Sequence, residues 1–450
     1  MKRFLETIKN IWAIEELRGR IITTILLVLI FRFGTYVVLP GINPAALSKF
    51  SEKGSSGLLG LFNLFVGGSF ARASIFALGI MPYISASIAV QLLSMAIPSF
   101  QKMQREGESG RRKINQYTRI FTIIITAFQG IAYVTYLNSQ LPEGGIMINQ
   151  TLFRISTMVI LTAGTMFCLW MGEKITDKGI GNGVSLIIMI GIMARFPGAI
   201  VAEFQGRIAA GGGGMIMFLI EMLFLISIVF FIVLLVQGTR KIPIQYAKRI
   251  IGNKQYGGVR QYLPLKVNAA GVMPIIFAQA IMFVPALLLQ AFPKTDSGFL
   301  YNLAQYTSVT HSIMFGLLVV IFTYFYTALI VNPMMMADEM KKNGGFIPGV
   351  KPGKSTAHYI DTIMSRITLP GSIFLAIVAI LPAFAGILKI NSQFASFFGG
   401  TSILIMVGTI LDTLQQVESH LLMRHYDGLM KTGRIKGRQT GNAAIATPQG

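Results

Sequence analysis

Acidic residues are scarce in this chain, with 18 Asp and Glu against 39 Lys and Arg over 450 residues and a formal net charge of +21. Charge of either sign is thin, at 13% of residues, while 53% are hydrophobic. A soluble fold of this length could bury such a core but could not cover its own surface. Cysteine is nearly absent. Cys168 stands alone in an apolar run, which excludes an intrachain disulfide framework and leaves packing as its role. The four histidines (His311, His358, His420 and His425) are scattered, without metal-ligand spacing, a nucleophile triad or a P-loop. Gly179-x-Gly181-x-Gly183 follows no strand pattern, so it is not a nucleotide fingerprint. No Ser/His, Asp/Asp or His-Glu-x-x-His arrangement lies within the apolar segments, which leaves an intramembrane enzyme without its chemistry.

What the chain does have is apolar length. Ten runs of about twenty residues are expected to cross a membrane: 21–39, 75–97, 118–137, 152–172, 181–201, 215–236, 270–291, 312–334, 367–388 and 401–420. They are continuous rather than alternating, which predicts an all-α polytopic membrane protein and excludes a β-barrel. The first run is too long for a signal core and lacks a small-x-small site after it, so it reads as a permanent span. Basic residues sort sharply between the connecting segments. Thirty of the 39 Lys and Arg fall on one side of these spans and six on the other. The positive-inside rule then places both termini in the cytoplasm. The expected organisation is a cytoplasmic segment 1–20, a first half 21–201, a connecting hinge 202–214, a second half 215–421 and a basic tail 422–450. Five spans in each half would give the halves opposite orientation, as in inverted repeats.

One apolar stretch is too short to span. Leu58, Leu59, Gly60, Leu61, Phe62, Asn63, Leu64, Phe65 and Val66 would make a helix of ~13 Å, under half of a hydrocarbon core. Gly54, Gly57, Gly67 and Gly68 bracket it and permit sharp turns. Such a half-helix must sit inside protein or line a wet cavity, where it could act as a stopper.

Two function classes follow from the residues. A transporter or ion channel predicts intramembrane charges as ion sites. Few exist: Arg32 and Glu221 lie near span ends, and Asp412 lies deeper with Gln416 one turn on. A conduit for something large predicts an apolar constriction instead. Ile80 and Ile84, and Val184 and Ile188, are stiff β-branched pairs one helical turn apart. Such pairs also serve lipid contact and helix packing, as do the small polar residues Ser85, Ser87 and Gln91 on the second span and Asn182 and Ser185 on the fifth. The 237–269 segment carries seven basic residues and no acid. It suits either a partner with a phosphate backbone or acidic surface, or a face of anionic lipid.

Long motifs identify a family. Asn63 to Leu93, containing Gly67-Gly-Ser-Phe-Ala-Arg-Ala-Ser-Ile-Phe-Ala-Leu-Gly-Ile-Met-Pro-Tyr-Ile-Ser-Ala-Ser87, closely resembles the bacterial SecY family of protein-translocation channel subunits. So do Glu106-Gly-Glu-Ser-Gly-Arg-Arg-Lys113, Gly172-Glu-Lys-Ile-Thr-Asp-Lys-Gly-Ile-Gly-Asn-Gly183, Leu263-Pro-Leu-Lys-Val-Asn268, Phe325-Tyr-Thr-Ala-Leu329, Gly399-Gly-Thr-Ser402 and Arg434-Ile-Lys-Gly-Arg438.

The resemblance implies a clamshell of two pseudo-symmetric, inverted five-helix halves in a bacterial plasma (inner) membrane. It implies a plug within 55–72 (Leu58, Leu59, Leu61, Phe62, Asn63, Leu64, Phe65 and Val66) and a pore ring of Ile80, Ile84, Val184, Ile188, Ile276 and Ile405. A lateral gate would include Ser85, Ser87 and Gln91 on one side, Phe277 and Val284 on the other. Hydrophilic polypeptides would cross, and apolar segments would leave sideways into the phospholipid bilayer. The 237–269 and 335–366 loops would dock a translating ribosome, including its RNA, or the SecA motor, through Arg240, Lys241, Lys248, Arg249, Lys254, Arg260, Lys351 and Lys354. The family's Gly-x-Arg-Pro-Gly reads here Gly349-Val-Lys-Pro-Gly353, where Lys351 keeps the charge without arginine's planar fork. SecE and SecG are the implied companion subunits, signal peptides and nascent chains the substrates. The resemblance implies a passive conduit, with no enzyme chemistry and no cofactor expected.

Overall fold

The computed structural model describes residues 12, 14–43, 63–141, 144–209, 214–246, 249–251, 254–256, 260–291, 298–305, 308–387, 390–395, 397–398 and 400–431. Its helices are α1 (Glu15–Gly34), α2 (Met81–Ala96), α3 (Pro98–Arg105), α4 (Glu108–Gln140), α5 (Gln150–Lys178), α6 (Gly183–Ala209) and α7 (Gly214–Gln237). After an insertion of strands come α8 (Met273–Ala291), α9 (Gly298–Ala304), α10 (Val309–Ile330), α11 (Pro333–Lys342), α12 (Lys354–Ile387), α13 (Ser392–Ala395) and α14 (Gly400–Lys431). Each expected span overlaps one of these helices. Among the described residues, six helices are long and apolar enough to cross a membrane, or up to seven if the bent α2–α3 pair counts as one. The chain is therefore a multi-pass membrane protein.

Several boundaries differ from those the sequence suggests, and each has a local cause. The second span was expected from residue 75, but its helix begins at Met81. Gly67, Gly68 and Gly79 all take positive φ, which holds 67–80 in turns, and Pro82 sits in the first turn, where its missing N–H costs nothing. Pro98 pushes Ile97 into extended backbone (ψ 121°) and separates α2 from α3. The basic 98–119 loop is almost wholly helical, because α4 continues ten residues beyond its apolar part into polar sequence. Similarly α6 runs on to Ala209, so the expected 202–214 hinge shrinks to 210–213 between helices. Asn149 starts α5 and Asn332 starts α11, each accepting a backbone N–H through its side-chain oxygen (3.1 and 3.2 Å).

The all-α expectation is corrected in the basic segment between α7 and α8. Segment 237–269 is not a loop but an antiparallel hairpin, β1 (Thr239–Tyr246) with β4 (Arg260–Lys266), in register from Thr239↔Lys266 to Gln245↔Arg260. A smaller ribbon pairs β2 (Arg249–Ile251) with β3 (Lys254–Tyr256). The other basic segment joins the same sheet, since β5 (Gly345–Phe346) pairs with β1 to give the order β4-β1-β5. Ile242 and Ile244 alternate inward with Lys241 and Pro243 outward, as a half-buried strand requires. Their inward faces meet Leu265, Met340, Ile347, Ile360 and Met364 in a small core separate from that of the helices.

Candidate functional site

The six expected ring residues come from the starts of four helices. Ile80 caps α2 and Ile84 lies in its first turn; Val184 and Ile188 lie in the first two turns of α6, Ile276 in the first turn of α8 and Ile405 in the second turn of α14. Ile80, Ile84, Ile188 and Ile276 are 4–5% exposed, and Ile405 is fully buried. Val184 is partly buried against the same helical core. A cavity of about 340 Å³ adjoins Val184 among α2, α4, α5 and α6, lined by Tyr83, Asn115, Asn182 and the Arg119–Glu173 pair. That pair is bidentate, Nε to Oε1 at 3.2 Å and Nη2 to Oε2 at 2.7 Å.

Of the expected plug, Leu58, Leu59, Leu61 and Phe62 lie outside the described residues. Asn63 to Phe65 are helical, and Val66 enters a run of turns. All four, Asn63, Leu64, Phe65 and Val66, are buried. The segment is seated by close contacts at glycines. A Cβ at Gly79 would lie 2.9 Å from Val66 Cγ1, and one at Gly191 would lie 2.7 Å from the Phe65 carbonyl oxygen. Gly79 precedes Ile80, and Gly191 follows Ile188 by three residues, so 63–66 rests on the two helix starts that carry four of the six ring residues.

Polar contacts hold this seat from behind. The Asn63 side-chain oxygen accepts from Ala71 N–H at 3.0 Å, and its carbonyl accepts from Gly68 N–H at 2.8 Å. Arg72 Nη2 donates to the Gly67 carbonyl at 2.7 Å, and Arg32 reaches the same oxygen at 3.4 Å. Both guanidiniums face the Tyr36 ring, at 4.1 and 5.6 Å from its centroid. Tyr133 Oη donates to the Phe70 carbonyl at 2.8 Å.

Three of the expected gate residues, Ser87, Gln91 and Phe277, gather around one tyrosine. Gln91 Nε2 donates to Ser87 Oγ at 3.1 Å, and Tyr326 Oη donates to Gln91 Oε1, which ties α2 to α10. The Tyr326 ring meets Phe277 of α8 edge-on, with centroids 4.7 Å apart. Ser85 instead bonds back to the Met81 carbonyl of its own helix, at 3.2 Å. Val284 is 49% exposed, one residue before Pro285. Tyr326 was not singled out from sequence, although it lies inside the Phe325–Leu329 motif.

The expected docking residues fall on three elements around the basic hairpin. Arg240 and Lys241 lie on the exposed part of β1 opposite Leu265 and Pro264. Arg249 and Lys254 lie on the β2–β3 ribbon, and Arg260 opens β4. Lys248 falls outside the described residues. Lys351 and Lys354 are exposed at the start of α12, where the Lys351 carbonyl accepts from Thr356 Oγ1 at 2.9 Å. Pairing of β1 with β5 therefore brings two basic segments, about a hundred residues apart in sequence, onto one platform.

Comparisons with known proteins agree with this architecture. A sequence model of the SecY family matches residues 74–414. The chain is 41% identical over 448 residues to the protein translocase subunit SecY of Thermotoga maritima, covering 96% of this chain and 100% of the relative. It is 42% identical over 431 residues to that of Streptomyces scabiei, covering 92% and 97%. Among solved structures it is similar to one described as a protein conducting channel, with TM-score 0.63, 18% identity and coverage of 89% and 92%. Sec61 in the canine ribosome-channel complex from the endoplasmic reticulum is similar at TM-score 0.61 and 17% identity, with the same coverage. At these identities the likeness to solved structures is one of fold.

Proposed function

This chain belongs to the SecY family, and on that footing we propose that it is the pore of a passive polypeptide channel with a plug, an apolar ring and a lateral gate. The family is one of translocase channel subunits, not enzymes. The observation that carries the proposal is the seating of 63–66 on Gly79 and Gly191, directly beside Ile80 and Ile188. An apolar plug resting on an apolar constriction closes the path by excluding water, and a ring of six β-branched or aliphatic side chains can close around varied peptides without charge of its own.

In this proposal the ten long helices form two inverted halves in a bacterial plasma membrane, with both termini cytoplasmic. The halves are 21–201 and 215–421. The gate lies between α2 on one side and α8 and α10 on the other. A segment apolar enough to prefer lipid leaves there, and a hydrophilic one continues across. The basic sheet docks a ribosome or the SecA motor, and SecE and SecG complete the complex. The ribosome-channel complex of the similar Sec61 structure supports the ribosome, and SecA, SecE and SecG rest on the family resemblance.

The test is a crosslink. A secretory chain is stalled in the reconstituted complex, with a photoreactive residue at position 84 or 276. Labelling of the stalled chain from both positions is expected. Labelling from neither, while a lipid-facing control labels lipid, would reduce the ring to packing and restore the transporter reading.

A further inference from the structure

Three arginines meet at the end of the 63–66 segment. Arg32 comes from the last turn of α1, Arg72 from the turns that precede α2, and Arg195 from the middle of α6. Arg195 shares a face of α6 with Ile188 and Gly191, seven and four residues earlier. A Cβ at Gly67 would lie 2.9 Å from Arg32 Nη1, and one at Gly68 would lie 2.8 Å from Arg72 Nη2 and 3.5 Å from Arg195 Nε. All three guanidiniums therefore press on the same two glycines. None of the ion pairs among the described residues includes any of them. Arg32 and Arg72 share one acceptor, the Gly67 carbonyl, and Arg195 meets no described acceptor. Tyr36 adds a ring face and a hydroxyl but no full charge. Donors are left over. Among the described residues Arg72 Nε is buried without a partner, and so is Nδ2 of Asn63, a residue that is 0% exposed.

A guanidinium carries five N–H donors and no acceptor, and it does not shed its proton. Burying one is costly unless it is paired, and like charges at close range repel. One carbonyl dipole does not offset three such charges. Arginines inside a membrane protein pair with an opposite charge or a carbonyl, and they mark a site. What completes this seat is negative, weakly hydrated and rich in lone pairs. It is also small. A single methyl group on Gly67, Gly68 or Gly191 would already crowd its neighbours.

We propose that Arg72 and Arg195, with Arg32 and Asn63 beside them, bind one small monovalent anion of the halide class, and that this anion locks 63–66 in its seat. Arg195 belongs to α6, whereas Asn63, Gly67, Gly68 and Arg72 belong to the seated segment and the turns after it. Withdrawal of the segment parts Arg72 from Arg195 and dismantles the site. The anion therefore favours the seated state and stabilises it by mass action. The binding site stands by itself, and the locking rests on the plug reading above.

Two measurements on the assembled complex test this. Crystals are grown in bromide, whose anomalous scattering marks its position, and a peak between Arg72 and Arg195 is expected. In proteoliposomes, Leu64→Cys is labelled by a hydrophilic maleimide, which reaches this buried position when the segment leaves. Chloride is titrated against gluconate at fixed ionic strength. The labelling rate of the idle complex should fall by the factor 1 + [Cl−]/Kd, about tenfold at nine times Kd. Arg195→Gln should make the rate the same in both salts. If that variant does not assemble, the peak and the titration in the Arg195 complex decide together. Absence of a peak with labelling blind to halide would overturn the site, and so would halide protection that survives Arg195→Gln. Glu52, the only acid between Asn43 and Asn63, is the other source of an anion. Labelling that ignores halide but quickens in Glu52→Gln would overturn the free-anion site and assign the seat to that carboxylate. A signal peptide separates the two readings. If it does not speed labelling of Leu64→Cys, the plug reading fails and the bromide peak still decides the site; if it does while halide has no effect, the lock alone fails.

Discussion

Tyr326→Phe isolates one hydroxyl at the proposed gate. The ring would stay where it is, edge-on to Phe277 with centroids 4.7 Å apart, and nearly all its apolar contact would be kept. What is lost is the bond to Gln91 Oε1, the polar link between α2 and α10. Gln91 keeps its donor bond to Ser87 at 3.1 Å but loses the partner of its carbonyl oxygen. In water-free surroundings an unmatched acceptor costs about 1–3 kcal/mol. Interhelical hydrogen bonds in membranes have measured smaller, averaging ~0.6 and reaching ~1.7 kcal/mol, because separated helices find other partners. That range corresponds to a population shift of about 3- to 20-fold towards the separated gate. Planar-bilayer conductance of the idle channel should rise within it, and a reporter with a weakened signal peptide should be exported more readily. Conductance and export both indistinguishable from the unsubstituted channel would show that the α2–α10 contact does not separate on opening, and the latch reasoning would fail.

Two further outcomes follow from the same geometry. Deleting Leu58 to Val66 should raise ion leak more than it lowers export, since the ring still closes part of the time; unchanged conductance in planar bilayers would count against a plug role. Ile244→Ala opens a hole in the seven-residue core under the basic hairpin and should cost about 2–5 kcal/mol locally. It should leave membrane insertion intact while protease cleaves the β1–β4 hairpin faster and partner binding weakens, all read on the same membranes.

The spans were legible because apolar length is a one-dimensional signal, and each expected run overlaps a helix. Their ends were not, because helices such as α4 and α12 continue through polar sequence once their apolar parts are anchored. The sheet was missed for a different reason. β1 buries only Ile242 and Ile244, and the charges around them read as a solvated loop. Its pairing with β5 bridges about a hundred residues and leaves no local trace. Of the proposed ring, Ile80 with Ile84 and Val184 with Ile188 stand at helical spacing in the sequence, while Ile276 and Ile405 come only from the family resemblance. Tyr326 gave no sign, because an apolar span hides which tyrosine meets a glutamine 235 positions away.

The joint between platform and membrane has a mechanical consequence. Tyr326 lies near the end of α10, and Met340, in the small core under the basic hairpin, lies near the end of α11. Only Val331 and Asn332 separate the two helices. At helical rise the fourteen residues from tyrosine to methionine span ~21 Å. A load that tilts this short arm by about 5° moves its far end by ~2 Å, which is enough to break a hydrogen bond that needs its partners within ~3.2 Å. On the proposed function, a partner that grips the basic sheet would therefore pull on the Gln91–Tyr326 contact through this arm.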